Sequence, residues 1–439
     1  MIDAYEAKHG DKVNITFTGD VKLNAENSIH KFNYAGVNVY LNASQMVTEA
    51  ITYDANNNEG ISKLINEQGT LTVLANTGET TVNNKNVMVV ETGIVNNLTK
   101  TGYVKYLNNS GILTLKKNSG AWKLKNMPGA QADIEAGDGS VNVSVLYNQN
   151  GDVVCDDCAK AVLNVKTGTL NVTTLNNNAI VNVESTLNAP TFNNKEQHAH
   201  AGKQLEAIVN NNGTIKTFIM TNEGTVNNYG DITPAAVDGM TGNPKFVNNA
   251  VVNGYSGNIG SFANGTTDGV LYVKGEELHV KVYNYSGGKI IFEGVANEHV
   301  GKTSNDERIF QTTAAIKGSE INNIMTFTKV TTLWLSHDVT IDYTDETGEK
   351  SLWSKENREA VTSVVVKAKK SVGIKSEITG KKLTLKNAAL DVEAEGKLTL
   401  SNAIKMTVKS FINGDNIDVA TGSSLKNEGG TEWSGVNHN

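Results

Sequence analysis

The chain has 439 residues, of which 38% are hydrophobic and only 6% aromatic, with 41 Gly and 4 Pro. That balance is too apolar and too patterned for disorder, yet too poor in aromatics for a usual globular core. A net charge of −7 argues against nucleic acid as a partner, and no apolar run is long enough to cross a membrane.

At the start, residues 2–9 are spaced as a short amphipathic helix, Gly10 stops it, and Val13-Asn14-Ile15 opens a strand. Residues 1–20 are therefore expected to form an N-terminal cap and first strand, since an open stack of strands exposes apolar core and unpaired edges. Beyond them one pattern recurs: an apolar residue, Asn, two variable residues, Gly, one variable residue and another apolar residue. It occurs at Ile65-Asn66-Glu67-Gln68-Gly69-Thr70-Leu71, Leu107-Asn108-Asn109-Ser110-Gly111-Ile112-Leu113 and Tyr147-Asn148-Gln149-Asn150-Gly151-Asp152-Val153. It returns at Val209-Asn210-Asn211-Asn212-Gly213-Thr214-Ile215, Val226-Asn227-Asn228-Tyr229-Gly230-Asp231-Ile232 and, one residue looser, at Tyr283-Asn284 to Ile290. Asn176, Asn193, Asn210 and Asn227 fall 17 residues apart, as do Asn66 and Asn83. That is about one coil of a β-solenoid, each coil turning at the same place as the one beneath. Asn suits such corners because it tolerates the left-handed conformation and because its amide both donates and accepts along a stack. Alternating stretches such as Thr70-Leu71-Thr72-Val73, Lys382-Leu383-Thr384-Leu385 and Lys397-Leu398-Thr399-Leu400 supply the strands.

A capping helix, Gly10-Asp11 and an alternating strand, feeding Asn-cornered coils, resemble the right-handed parallel β-helix proteins of the pectin-lyase-like superfamily. The expected fold is all-β, a single-stranded right-handed parallel β-helix with Asn/Gly corners and lateral loop insertions. It is expected to run as one continuous solenoid over 1–439, with insertion-rich coils over 300–360 and C-terminal coils over 361–439.

Side loops are expected at Met127-Pro128-Gly129-Ala130-Gln131, Lys195 to Gly202 and Pro234 to Pro244, with a helix start at Ser304 to Gln311 and another loop from Asp345 to about Arg358. Between Lys125 and Lys160 there is no Lys or Arg, while Asp133, Glu135, Asp138, Asp152, Asp156 and Asp157 fall there. Calcium is the one cofactor such oxygen ligands bring to mind, against an ordinary solvated acidic face, and the spacing matches no known calcium loop. Cys155-Asp156-Asp157-Cys158 permits a redox pair, half a zinc site with His198 and His200, or a structural or incidental pair, and the last reading is preferred. Lys367, Lys369, Lys370, Lys375, Lys381, Lys382 and Lys386 form a basic stretch that could meet an anionic glycan or guard strand edges.

By the resemblance, enzymes of this fold display clustered carboxylates with Arg or Lys in a groove. Arg308 and Arg358 are the only arginines, which leaves little for a bidentate clamp on a carboxylated sugar. Asp338 and Asp342, beside His337, Asp345 and Glu346, would stand about 13 Å apart on a strand, too far for a glycosidase pair without a partner from the adjacent coil. Tyr255, Tyr272, Tyr283, Tyr285 and Trp334 could stack against sugar rings if they aligned across coils. No catalytic, metal or binding residue is assigned on these grounds. The function expected is a non-catalytic, adhesin-like surface or secreted bacterial protein that presents a rigid face to a glycan or a protein. A polysaccharide lyase or hydrolase and a phage tail spike are the alternatives.

Overall fold

The computed structural model describes residues 13–23, 37–48, 53–54, 59–74, 80–91, 104–149, 159–198, 204–266, 268–285, 289–292, 296–299, 308–311, 325–327, 330–335, 339–343, 355–376, 382–414, 416–434 and 437–438. The chain divides into two compact units, one of Met1–Val226 with Pro234–Pro244, the other of Asn227–Thr233 with Lys245–Asn439. Both are almost entirely β, and among the described residues the sole helix is Lys355–Ala360. No described helix is long and apolar enough to cross a membrane.

Alternation makes the strands of the first unit. In Thr81–Asn84, Val87–Val90, Ile180–Val183 and Ile208–Asn211 half-buried and buried residues alternate, as one wet face and one core face require. The strands pair in parallel, each with the strand one repeat later, along three tracks. On the first, residues 131–134 pair with 162–165, then Ile180–Val183, then Ile208–Asn211. On the second, residues 169–171 pair with Thr186–Asn188 and these with residues 214–216. On the third, residues 106–109, 123–126, 145–148, 174–177, 191–194 and 219–222 pair in succession. The result is a β-helix-like stack in which like lies on like. Leu107, Leu124, Leu146, Leu175, Phe192 and Met220 form one inner column, each at most 1% exposed, and each such side chain stabilises the fold by about 1.5–3 kcal/mol.

The third track ends on an Asn at every level. Asn66, Asn84, Asn109, Asn126, Asn148, Asn177, Asn194 and Asn222 are all fully buried. Each side-chain amide donates to the carbonyl oxygen of the next Asn, at 2.7–2.9 Å, from Asn66 through to Asn222. Asn109 shows how the group is satisfied. Its Nδ2 also donates to the backbone oxygens of Gly111 at 3.1 Å and Gln131 at 2.8 Å, and its Oδ1 accepts the Gly111 N–H at 3.2 Å. One side chain thus closes its own corner, pins the next coil and ties in a strand on another track, which repays the cost of burying an amide.

The expected phase of this ladder is corrected by these bonds. Asn66 and Asn148 are buried rungs, but in the patterns starting at Leu107, Val209 and Val226 the buried residue is the second Asn, namely Asn109, Asn211 and Asn228. Asn66 meets Asn84 rather than Asn83, and Asn83 instead accepts from Asn108 on the outer face at 2.8 Å. Asn176 and Asn193 do bond to each other, at 2.9 Å, whereas Asn210 donates to Asn182 on a different track. A slip of one residue moves a strand side chain from core to solvent. The left-handed rationale for Asn also fails here: among the described residues the non-Gly positions with positive φ are Asn118, Ser261, Lys369, Glu395, Asn402 and Ala403, none of them a rung. Corner glycine has a second use besides φ. A Cβ on Gly111 would stand 2.1 Å from the Asn86 carbonyl oxygen of the coil beneath, so the chains pass too closely for any side chain.

In the second unit parallel pairing continues and the corners change. Asn248 Nδ2 donates to Asn264 Oδ1 at 3.0 Å, the last such rung among the described residues. Later, Val330–Leu335, Ser363–Val366, Lys382–Val392, Lys405–Asn413 and Ser424–Asn427 stack in one sheet, and Val339–Tyr343, Ser371–Ser376, Lys397–Ser401 and Ile417–Val419 in another. Their turns place Lys369, Glu395, Asn402, Ala403 and Gly422 in the left-handed region. Glu432–Ser434 returns antiparallel onto Ser424–Asn427, and Asn437–His438 onto Ile417–Val419, so both edges are hydrogen-bonded rather than open.

Of the expected side loops, residues 235–244 form one, mostly exposed, with a turn closed by the Met240 N–H on the Val237 oxygen at 3.0 Å. Gln197–His198 and Gln204–Leu205 pair antiparallel as a short hairpin stem. Met127–Gln131 is corrected: it is a tight turn within the stack, with Ala130 1% exposed and the Gly129 N–H bonded to the Ala159 oxygen at 2.7 Å. The end of the expected loop 345–358 is helical from Lys355. Arg308–Gln311, expected to continue a helix, is a strand antiparallel to Val270–Tyr285. The N-terminal helix and the Ser304 helix start lie outside the described residues.

Candidate functional site

The third track of the first unit gathers aromatic and basic residues on its outer face. Leu107, Leu124 and Leu146 point into the core, so their neighbours Tyr106, Lys123, Lys125 and Tyr147 are directed outward and are half-buried. Register places Lys123 beside Tyr106 and Lys125 beside Tyr147. Trp122, the one residue between Ala121 and Lys123 that the strand pairing skips, packs edge-on against Tyr106 with ring centroids 5.6 Å apart and planes at 72°. The Lys123 ammonium lies 4.9 Å from the centre of the Tyr147 ring, and that of Lys105 5.9 Å from Tyr106. These cations sit on aromatic faces, an arrangement that holds both partners in place at a partly wet surface.

Charge sets this face apart. The strands Val104–Asn109, Gly120–Asn126 and residues 142–148 contain three lysines and no Asp or Glu. Four lysines elsewhere in the unit meet carboxylates: Lys85 with Glu67 at 2.8 Å, Lys116 with Glu91 at 2.9 Å, Lys117 with Asp138 at 2.7 Å and Lys195 with Glu223 at 3.6 Å.

Of the acidic run, Asp133 and Glu135 form ion pairs with Lys166, and Asp138 with Lys117. Asp133, 5% exposed, receives Lys166 at 2.8 Å, Asn164 at 2.7 Å and Gln131 at 2.9 Å, and Lys166 also reaches Glu135 at 3.2 Å. Burial pushes the Asp133 carboxyl up, but the hydrogen bonds from Lys166, Asn164 and Gln131 and the Lys166 charge together hold it below the usual range. The hydrogen bond to Asp133 in turn raises Lys166. A carboxylate locked in its ionised form is a poor acid or base at neutral pH. Among the described residues no three His, Cys, Asp or Glu side chains come together to hold a metal. Asp152, Asp156, Asp157, Cys155, Cys158 and His200 lie outside the described residues.

In the second unit Tyr255 does align across coils, with Tyr229, which the sequence reading missed. Their rings stack 4.3 Å apart at 2°, and the Lys274 ammonium lies 5.7 Å from Tyr255 and 5.2 Å from Tyr272. Tyr283, Tyr285 and Trp334 are on strands whose side chains are outside the described set. Asp342 lies on Val339–Tyr343, where register sets Lys375 beside it rather than a second carboxylate; Asp338, His337, Asp345 and Glu346 are outside the described residues. Arg308 is on a strand and Arg358 on the short helix, on separate elements. The basic stretch is partly neutralised, Lys367 by Glu393 and Lys369 by Glu395 at 4.0 Å. The signal that could have found the site is an aromatic beside a lysine on successive strands, Lys105-Tyr106 and Trp122-Lys123-Leu124-Lys125, free of acids. No family model, no curated protein and no solved structure matches the chain.

Proposed function

We propose that this chain is a right-handed parallel β-helix of the pectin-lyase-like kind that works outside the cell or on its surface, binding a glycan without cleaving it. One observation carries the reading: Tyr106, Trp122, Lys123 and Tyr147 lie together on an outer strand face that has lysines and no carboxylates. Aromatic faces suit the apolar sides of pyranose rings, and Lys123 with Lys125 favours a sugar polymer carrying acidic groups. By register Tyr106 and Tyr147 are two strands apart and two residues offset along the strand, about 9.6 Å across and about 6.6 Å along, which is a separation of about 12 Å. Because the Asn ladder and the stacked core hold the face rigid, little ordering has to accompany binding.

The test is a binding screen against neutral and acidic polysaccharides, paired with an assay for new reducing ends and unsaturated products. The expectation is binding, weakened about tenfold by W122A or Y147A, with no cleavage of any polymer. Reproducible cleavage, or binding indifferent to both variants, would overturn it.

A further inference from the structure

We infer that Tyr229 and Tyr255 form a site of oxidative cross-linking, a built-in position for a dityrosine bond between successive coils of the second unit. The two residues are 26 apart in sequence, yet their rings lie 4.3 Å apart and within 2° of parallel. That alignment is enforced from below. The Ser256 hydroxyl donates to the backbone carbonyl oxygen of Tyr229 at 2.6 Å, and Asp231 Oδ1 accepts both the backbone N–H and the side-chain amide of Asn258, at 2.9 and 2.8 Å. Gly257 passes so near the coil beneath that a Cβ would stand 2.0 Å from the Gly230 oxygen. The backbones on either side of the pair are thus locked in register, and the two phenols face each other as a consequence.

Three features make this pair reactive where others are not. It is accessible, since Tyr229 is 47% exposed. It is also the one pair of two phenols among the ring contacts of the described residues; Tyr106–Trp122, Phe246–Phe262 and Phe411–Trp433 have other partners and cross at 72–88°. Finally, Tyr272, the next tyrosine along, has no ring contact with Tyr255 among the described residues, and the Lys274 ammonium lies within 6 Å of both ring centres.

The chemistry balances with a peroxide as oxidant and a haem peroxidase as carrier of single electrons. Each phenol loses one electron and its hydroxyl proton to give a neutral phenoxyl radical, the protons leaving to water. The two radicals join through ring carbons ortho to the oxygens. Each coupled ring then shifts its ortho hydrogen to oxygen, which restores both hydroxyls. One peroxide takes up the two electrons and two protons and leaves as two waters, and the protein loses two hydrogen atoms.

The test treats the full chain at low concentration with hydrogen peroxide and a haem peroxidase, and isolates the monomer. The expected result is a monomer lighter by two hydrogens, with dityrosine fluorescence and a proteolytic fragment that joins the peptides carrying Tyr229 and Tyr255. Y229F and Y255F should each abolish that fragment, while Y147F should leave it intact. A monomer whose fluorescence survives Y229F, a linked peptide from any other pair, or cross-links found only in covalent dimers would each overturn the inference.

Discussion

Replacing Asn109 by Ala removes one rung from the middle of the buried ladder, and the structure says what is left behind. The Gly111 N–H loses the side-chain oxygen it bonds at 3.2 Å, and Asn126 Oδ1 loses the amide it accepts at 2.8 Å. Asn126 is a demanding neighbour, because two residues on stands Pro128, which has no N–H to offer in place of the lost donor. Asn84 keeps the Asn86 and Ile112 oxygens as acceptors, at 3.0 and 2.9 Å, so its amide is not stranded. Two buried groups orphaned at about 1–3 kcal/mol each predict a loss of about 2–6 kcal/mol. Asn108 provides the internal control. It is the adjacent residue, on the same strand, half-buried on the outer face, and it donates one bond, to Asn83 at 2.8 Å. N108A should therefore cost about 0.5–1.5 kcal/mol. Urea unfolding of both variants, followed by far-ultraviolet circular dichroism, reads the difference as a shift in midpoint at unchanged slope. Equal midpoints for N108A and N109A would refute the assignment of Asn109 to the inner ladder and the energetic argument with it.

Further expectations follow from the same geometry. G111A forces a methyl to 2.1 Å from the Asn86 oxygen and should cost about 3 kcal/mol or prevent folding, while G19A, with nothing within 4 Å of its added methyl, should stay within about 0.5 kcal/mol of wild type; thermal melts of the two decide. D133N should be less stable than wild type at neutral pH. Since the folded carboxyl of Asp133 is depressed, the wild-type advantage is complete above the ordinary Asp value of about 3.9 and is lost as pH falls through the folded value. A gap in melting temperature that has already closed at about pH 5 would contradict this. At the alkaline end Lys166 is raised, so its contribution is complete below the ordinary Lys value of about 10.4 and is lost as pH rises through the folded value. K166M should remove the alkaline limb and shrink the acidic one, since Asn164 and Gln131 still donate to Asp133, in the same melting series.

How much of this was legible beforehand differs from feature to feature. The strands were readable because alternation is local: Lys397–Ser401 and Lys382–Val392 follow the pattern of their letters. The existence of a ladder was readable too, from Asn recurring at strand ends. Its rungs were not, because the spacing along the ladder runs 18, 25, 17, 22, 29, 17 and 28 residues, and a period of 17 finds only part of it. The candidate face was hidden for the same reason, since Tyr106, Lys123 and Tyr147 become neighbours only once coils of unequal length are laid in register. The acidic run was visible as composition, but its partner Lys166 stands 33 residues from Asp133.

Taken alone, the amino-acid order determined that this protein is all-β, that its strands have one apolar face, and that its corners rest on Asn and Gly. Those properties depend on side-chain alternation and backbone preference within a few residues. Which of two adjacent asparagines faces inward, which lysines find a carboxylate, and which tyrosines touch were decided only by tertiary structure. Each depends on the register between strands far apart in sequence, and a shift of a single residue exchanges core for solvent along a whole strand.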